Sequence, residues 1–245
     1  MPAALRAARR LLLLSNSRDA EGRYLAHCRD ALAAHLEGVR EVAFVPYAGV
    51  TVAWGAYAAR VAEALAPLGV RVRGVHDAGD PAALVRDAAA VAVGGGNTFH
   101  LLAHLYGARL LDAVRARVAA GAPYVGWSAG SVVACPTLRT TNDMPVVEPP
   151  SFAALGLVGL QVNAHYTDFH PTGFQGETRA ERLAEFVAAN PGVPVVGLPE
   201  GSWLEARGPA LTLGGPHAAP VFRAGRAVER VAPGASLAEL ETGAR

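Results

Sequence analysis

The chain alternates short apolar runs with longer stretches in which apolar side chains recur every three or four residues. Short apolar runs between turn residues are typical of buried strands, and the longer spacing is typical of amphipathic helices. The pattern predicts strands at residues 11–15, 41–45, 70–75, 88–93 and 123–125, with helices at residues 25–36, 54–65, 81–87, 98–105 and 111–118. This alternation predicts an α/β fold with a doubly wound, mainly parallel sheet.

The pattern becomes less regular after Cys135. It predicts strands at residues 137–141, 159–164, 193–197 and 203–206, and a helix at residues 178–190. The helix begins with a capping box formed by Thr178 and Glu181. The tail is rich in turn residues such as Gly214, which predicts C-terminal hairpins that cover one edge of the sheet. No linker or repeat interrupts the chain, so we expect residues 1–245 to form a single α/β catalytic domain.

Composition excludes several kinds of chemistry. All 22 basic residues are arginines, so a lysine nucleophile, pyridoxal phosphate catalysis and a Walker-type phosphate loop are excluded. The net charge is +1 with both signs interspersed, which predicts no nucleic-acid or membrane partner. The two cysteines form no zinc-binding pattern, and no apolar stretch approaches the ~20 residues that span a bilayer. We therefore expect a soluble cytoplasmic protein.

A candidate nucleophile lies in the sequence Gly126-Trp127-Ser128-Ala129-Gly130, directly after the predicted strand at 123–125. A G-x-S-x-G motif between a strand and a helix predicts a nucleophile elbow, in which a sharp turn exposes the serine hydroxyl. The flanking glycines allow that turn, because larger side chains would clash there. Ser128 is therefore the candidate nucleophile, and the alternative interpretation is an ordinary turn between a strand and a helix.

A second glycine-rich turn, Gly94-Gly95-Gly96-Asn97, follows the preceding strand. Ligands of open parallel sheets bind beyond the carboxyl ends of the strands, where both turns are expected to lie. Backbone amides of Gly96 and Ala129 could therefore form an oxyanion hole. Asn97 is expected to cap the next helix and to contact substrate. The alternative, a dinucleotide phosphate loop, lacks the G-x-G-x-x-G spacing.

His165 is the candidate base, because it ends a predicted apolar strand and enters a polar loop. The residues His165, Asp168 and His170 could instead form a metal site, although no third strong ligand accompanies the two histidines. The acid that orients the base is expected nearby. Asp143, in a tight turn, and Glu200, in Leu198-Pro199-Glu200-Gly201, are the two candidates, and residue types alone do not decide between them.

Several motifs together resemble peptidase E, the α-aspartyl dipeptidase of a serine peptidase family that also includes cyanophycinase. The motifs are Leu14-Ser15-Asn16-Ser17, Gly94-Gly95-Gly96-Asn97-Thr98-Phe99, Gly126-Trp127-Ser128-Ala129-Gly130, Cys135-Pro136-Thr137, Thr140-Thr141-Asn142-Asp143-Met144-Pro145 and Gly197-Leu198-Pro199-Glu200-Gly201. The resemblance begins near Leu11, so residues 1–10 are interpreted as an N-terminal extension. It implies a class I glutamine-amidotransferase-like fold in which serine replaces the nucleophilic cysteine.

The resemblance also implies roles for individual residues. It implies that Ser128 is the nucleophile, His165 the base and Asp143 the acid, with Gly96 and Ala129 forming the oxyanion hole. It further implies cytoplasmic hydrolysis of dipeptides with N-terminal aspartate, without a metal or other cofactor.

Arg179 matches the arginine that binds the aspartate in that family. The alternative for Arg179 is an ordinary surface arginine, since Glu181 and Glu185 lie nearby on the same predicted helix.

The sequence therefore predicts a serine exopeptidase that hydrolyses Asp-Xaa dipeptides through an acyl-enzyme. An esterase of the α/β-hydrolase type is one alternative, although its acid normally lies much farther from the serine than 15 residues. A non-catalytic binding protein on the same fold is the other alternative. The expected partners are a small-molecule substrate and, in a homodimer, a second copy of the chain. The second residue of the dipeptide is not predicted.

Overall fold

The structure is a computed structural model, and it describes residues 1–173 and 175–241. Residue 174 and the last four residues of the predicted domain lie outside the described part. The helices are α1 (Ala3–Ala8), α2 (Arg29–His35), α3 (Trp54–Leu65), α4 (Pro81–Asp87), α5 (Thr98–Gly107), α6 (Leu110–Ala119), α7 (Ala129–Val133) and α8 (Arg179–Ala189). The strands are β1 (Arg10–Leu14), β2 (Glu41–Val45), β3 (Arg71–Gly74), β4 (Ala90–Val93), β5 (Pro123–Trp127), β6 (Gln161–Tyr166), β7 (Val195–Pro199), β8 (Trp203–Arg207), β9 (Ala210–Gly214), β10 (Ala219–Phe222) and β11 (Glu229–Val231).

A seven-stranded sheet in the order β3-β2-β4-β5-β1-β8-β9 forms the centre of the fold. Its first five strands are parallel, and β8 and β9 continue it as an antiparallel hairpin next to β1. The carboxyl ends of the five parallel strands therefore share one edge. The predicted α/β fold with a mainly parallel sheet is confirmed, and so is the hairpin at one sheet edge.

Successive residues of β1 pack on opposite faces of this sheet. Leu11 and Leu13 belong to a hydrophobic cluster with α1 and α4 to α7, whereas Leu12 and Leu14 pack with α2 and α3. Side chains alternate between the two faces along a strand, so a continuous leucine run is what a strand buried on both faces requires. Helices on both faces make the sheet doubly wound, as predicted.

A second, four-stranded sheet in the order β11-β10-β7-β6 was not predicted. Its strands β6 and β7 are parallel, and β10 and β11 are antiparallel to their neighbours. One face joins the main hydrophobic cluster through Val162, Val196 and Leu198. The other face packs on α8 through residues such as Phe222 and Leu183. The second sheet therefore lies between the main core and α8.

One predicted strand is wrong. Residues 137–141 form turns and a single bridge between Thr137 and Ala153 rather than a strand. The side chain of Thr140 donates a hydrogen bond to the carbonyl oxygen of Val162 at 2.9 Å, so this segment lies alongside β6. Its β-branched threonines favour extended backbone. Here they bond to a neighbouring strand through side chains instead of a backbone ladder.

The segment before β1 is structured. It contains α1 and Arg9, whose guanidinium is fully buried and bonds both carboxylate oxygens of Glu241, at 2.7 and 2.5 Å. This ion pair joins the two ends of the described chain. None of the helices in the described ranges has the length and apolar character needed to cross a membrane.

Candidate active site

Ser128 lies at the sharp turn between β5 and α7. Its backbone has φ 52° and ψ −116°, an unfavourable conformation for a residue with a side chain. A Cβ at Gly130 would overlap the carbonyl oxygen of Val93, so glycine is required there for α7 to pack against β4. The predicted nucleophile elbow is therefore present, with the half-buried Ser128 at its apex.

His165 faces Ser128 from the second sheet. Its Nε2 lies 2.9 Å from the Ser128 Oγ, and its Nδ1 lies 2.6 Å from the Glu200 Oε1. A carboxylate only accepts hydrogen bonds, so Nδ1 carries the proton of the neutral ring and Nε2 accepts from the serine hydroxyl. The arrangement is a hydrogen-bonded chain of serine, histidine and glutamate.

The backbone of β6 turns the His165 ring toward Ser128. His165 has φ 55°, and the pairing of β6 with β7 shifts register between Asn163 and Tyr166. A bulge of this kind redirects a side chain. Glu200 directly follows β7, the strand paired with β6, so the pairing of these two strands brings the base and the acid together.

Asp143, the acid implied by the resemblance, does not contact His165. Its Oδ2 accepts three hydrogen bonds, from the Thr98 amide at 2.7 Å, the Thr98 hydroxyl at 2.5 Å and the Thr141 hydroxyl at 3.0 Å. Thr98 is the first residue of α5, and a helix N-terminus stabilises a carboxylate. These bonds hold Asp143 at the end of α5, and the structure corrects the expectation by placing Glu200 against His165.

Two residues after β1 hold the base and the acid in place. The buried Ser15 hydroxyl accepts a hydrogen bond from the His165 amide at 2.9 Å and donates one to the Leu198 carbonyl at 2.7 Å. The Asn16 Oδ1 accepts from the Gly201 amide at 2.8 Å. Neither residue was predicted to have a role of its own in the site. Their position at the carboxyl end of a central parallel strand was the available indication.

The two predicted oxyanion-hole residues both lie beside Ser128. Gly96 has φ 136°, and a Cβ there would overlap the carbonyl oxygen of Ala48. A Cβ at Gly95 would lie 2.8 Å from the Ser128 Cβ, so the glycine turn runs against the nucleophile. Ala129 is the first residue of α7, where an amide has no acceptor within its own helix.

Tyr57 fixes the peptide between Gly95 and Gly96. Its hydroxyl donates to the Gly95 carbonyl at 3.0 Å and accepts from the Trp127 indole at 2.9 Å. The carbonyl and the amide of a trans peptide point in opposite directions, so this bond also sets the direction of the Gly96 amide. Burial raises the pKa of Tyr57, which keeps its hydroxyl protonated as the donor.

Two cavities share Ser128 and His165 in their linings. The small cavity, about 300 Å³, includes Arg179 and Asp143 in its lining. The large cavity, about 610 Å³, includes Arg18, Arg60 and Asn97. Ser128 and His165 line both, so a substrate bound at the hydroxyl of Ser128 can extend into each of them.

Arg179, the predicted aspartate-binding residue, is the first residue of α8. The predicted capping box is present, with Thr178 as N-cap and Glu181 bonded to its amide. Arg179 is half-buried, and its Nη1 donates to the Ala164 carbonyl at 3.4 Å. Burial and the neighbouring Arg182 lower its pKa. Within the described ranges no carboxylate forms a salt bridge with Arg179, which lines the small cavity together with Asp143.

Asn97 is the N-cap of α5, as predicted. Its Oδ1 accepts from the His100 amide at 3.0 Å, and its Nδ2 donates to the Met144 carbonyl at 2.8 Å. The side chain thus holds together two loops of the site. The expected contact of Asn97 with substrate stays a prediction.

The structure does not bring together the three residues of the alternative metal site, His165, Asp168 and His170. Asp168 accepts from the Tyr166 hydroxyl at 2.7 Å and pairs with Arg230, and the His170 Nε2 lies 3.0 Å from the Gly176 carbonyl oxygen. In the part of the chain that the structure describes, no three His, Cys, Asp or Glu side chains are grouped as metal ligands.

Comparison with known proteins places the chain among peptidases. The family model of peptidase family S51 matches residues 11–214. Peptidase E of Shewanella amazonensis is 48% identical over 231 residues, which cover 94% of this chain and 98% of that protein. Peptidase E of Citrobacter koseri is 50% identical over 215 residues, which cover 88% of this chain and 94% of that protein.

A crystal structure of a peptidase from an acI-B1 Actinobacterium has a similar fold. It matches with a TM-score of 0.70 over 94% of this chain and 96% of its own, at 18% identity. This likeness supports the fold alone, whereas the family match and the two relatives span the elbow, the base and the acid. On that evidence, the chain is a peptidase and belongs to peptidase family S51.

Proposed function

We propose that this peptidase is a serine-type dipeptidase that cleaves Asp-Xaa dipeptides in the cytoplasm, with Ser128, His165 and Glu200 as its catalytic triad. The observation that carries the proposal is the hydrogen-bonded chain from the Ser128 hydroxyl through His165 to Glu200. A serine hydroxyl needs an adjacent base to attack a peptide carbonyl at neutral pH. The family does not favour the esterase and binding-protein alternatives, and the homodimer stays a prediction.

In the first step the Ser128 Oγ attacks the carbonyl carbon of the scissile peptide, and its proton moves to the His165 Nε2. Glu200 stabilises the imidazolium that forms. The carbonyl oxygen becomes an oxyanion, which accepts hydrogen bonds from the amides of Gly96 and Ala129. One such donor contributes about 2.7–4 kcal/mol to the stability of the transition state.

In the next steps His165 gives its proton to the leaving amine, and the C–N bond breaks. The aspartyl group remains as an ester on Ser128. His165 then takes a proton from water, the hydroxide attacks the ester, and the serine hydroxyl is restored when the product leaves. The same base therefore transfers protons in both halves of the reaction.

Arg179 is the residue that we propose binds the aspartate side chain. A substrate carboxylate that enters a cavity loses its water, and a fixed cation compensates that cost. Arg179 lines the small cavity together with Ser128 and His165, and it forms no salt bridge in the described ranges. Its guanidinium can accept a carboxylate in a bidentate pair.

Asp143 is proposed to bind the free α-ammonium group of the dipeptide. Its three hydrogen bonds all go to Oδ2, which leaves Oδ1 available on the carboxylate that lines the small cavity. An N-terminal aspartate carries both charges that this cavity complements. In this proposal Asp143 binds the substrate instead of acting as the acid of the triad.

The test compares Arg179→Met with Arg182→Met. Arg182 lies on the same helix, is exposed and pairs with Glu177, so it is a matched control. Arg179→Met should lower kcat/KM for Asp-Leu by about 30-fold or more, since loss of a paired buried charge costs about 2–5 kcal/mol. Hydrolysis of Asn-Leu, which has the same shape without the charge, should change much less.

Arg182→Met should leave kcat/KM unchanged for both Asp-Leu and Asn-Leu. Equal losses for Asp-Leu and Asn-Leu in Arg179→Met would show that Arg179 is structural. The wild-type protein should also release p-nitroaniline from Asp-p-nitroanilide, and a fluorophosphonate should label Ser128. If neither reaction occurs, the proposed function is wrong.

A further inference from the structure

The large cavity has a positive lining. Among the described residues, its lining includes Arg18 and Arg60 but no aspartate or glutamate. The other lining residues come from α3 and from the turns that follow β1, β2, β4 and β5, together with Val146 and His165. A cavity lined by cations without counter-charges favours an anionic ligand.

Arg60 is the less engaged of the two arginines. It lies on α3 and is half-buried, and within residues 1–173 and 175–241 its guanidinium forms no salt bridge and no hydrogen bond. Arg18, by contrast, is exposed, donates to the Gly22 carbonyl at 2.7 Å and lies over the Tyr24 ring. The five donors of Arg60 are therefore free for a ligand.

Arg60 lines the same cavity as Gly96 and Ser128. Burial raises the pKa of Tyr57, and the Arg60 cation opposes that rise, so the two groups interact. The Tyr57 hydroxyl in turn donates to the Gly95 carbonyl, and Gly95 adjoins Ser128. Arg60 is thus connected through Tyr57 to the turn that flanks the nucleophile.

The proposed function determines which part of the substrate enters the large cavity. If the aspartate side chain binds Arg179 in the small cavity, the large cavity is the other space lined by Ser128 into which the residue after the scissile bond can extend. In a dipeptide that leaving residue carries a free α-carboxylate, whereas in a longer peptide the same position is a neutral amide. The anion that fits the large cavity is therefore already present in a dipeptide.

We propose that Arg60 binds the α-carboxylate of the leaving residue and thereby restricts the peptidase to dipeptides. The proposal rests on the proposed function, because it needs the aspartate to occupy the small cavity. Cleavage requires no further group at this position, so Arg60 acts on substrate choice rather than on the chemical step. Apolar surface for the side chain of the leaving residue comes from Tyr24, Val50, Val52, Tyr57 and Val146.

The test compares Asp-Leu with aspartyl-leucinamide, which has the same shape but lacks the terminal charge. We expect the wild-type protein to prefer Asp-Leu in kcat/KM by about 10- to 100-fold. Arg60→Met retains the stem of the side chain and removes the charge. It should lower kcat/KM for Asp-Leu and bring the ratio of the two substrates close to one, mainly through KM.

Arg71→Met is the control, because Arg71 is an exposed arginine on β3 that pairs with Glu41 away from the cavity. It should leave the ratio unchanged. For Asp-p-nitroanilide, which has no terminal carboxylate, kcat/KM should fall far less in Arg60→Met than it does for Asp-Leu. Retained cleavage of Asp-p-nitroanilide also shows that the variant is folded.

Two results would overturn the assignment of Arg60. One is an unchanged preference for Asp-Leu in Arg60→Met. The other is a preference that disappears in Arg18→Met but not in Arg60→Met. Failure of the wild-type protein both to cleave Asp-Leu and to react with a fluorophosphonate would instead contradict the proposed function, so the two failures are distinguishable.

Discussion

The two sheets contribute different chemistry to the same site. The seven-stranded sheet carries Ser128 and the amides of Gly96 and Ala129, all at the carboxyl ends of its parallel strands. The four-stranded sheet carries His165, and Glu200 directly follows its strand β7. In the proposed mechanism, the first sheet thus supplies the groups that contact the reacting carbonyl, and the second supplies the groups that move the proton.

This division shows why the site depends on how the sheets meet. Each sheet alone holds an incomplete set of groups, and the 2.9 Å contact between Ser128 and His165 joins them. Ser15 strengthens that junction, because its hydroxyl extends from the end of β1 to bond both β6 and β7. Variants on either side of the junction should therefore behave as changes to one catalytic unit.

The largest effect is expected when the contact between the sheets is removed. Ser128→Ala and His165→Ala should each lower kcat by about 10⁴- to 10⁶-fold, because a nucleophile without its base and a base without its nucleophile are both ineffective. The double variant should be little worse than either single variant. Steady-state kinetics with Asp-Leu measure all three, and additive losses would mean that the two sheets act separately.

A second prediction separates the two carboxylates. Glu200→Gln should lower kcat by about 10²- to 10⁴-fold, because the imidazolium loses its charged partner. Asp143→Asn should mainly raise KM, by about 10- to 100-fold, because it removes the partner of the substrate ammonium. A large drop in kcat for Asp143→Asn with a small effect of Glu200→Gln would return the acid role to Asp143.

The smallest effect is expected at the junction itself. Ser15→Ala leaves the His165 amide and the Leu198 carbonyl without their partner, which should lower the free energy of unfolding by about 1–3 kcal/mol. It should also lower kcat several-fold while KM changes little. Thr140→Val removes another buried hydroxyl bonded to β6 and is the control. If both variants lose stability and kcat equally, Ser15 has no particular effect on His165.

The same division explains what the sequence could predict. Ser128 was predictable because the elbow is local, and the glycines, the serine and the preceding strand are contiguous. The fold of the first sheet was predictable because its apolar runs alternate regularly with helical spacing. The second sheet was missed, although all four of its strands lie where strands or hairpins were expected, because strand pairing leaves no local pattern in the sequence.

The acid illustrates the limit most clearly. Asp143 and Glu200 lie in similar polar turns, and nothing in either turn shows which one reaches His165. The outcome depends on the parallel pairing of β6 with β7 and on the bulge at His165, both of which are tertiary features. The proposed role of Arg60 was missed for a related reason. An arginine on an amphipathic helix is common, and only the fold shows that Arg60 forms no salt bridge within the described residues.

The positive φ angles of Ser128 and His165 have a further consequence for how the chain evolves. A non-glycine residue in such a conformation costs on the order of 1–3 kcal/mol, and a typical domain has only about 5–15 kcal/mol of net stability. Glycine would adopt both conformations without that cost. A chain selected for stability alone would therefore carry glycine at both positions. The two side chains that the proposed reaction uses are therefore held in place at a cost in stability that glycine would avoid.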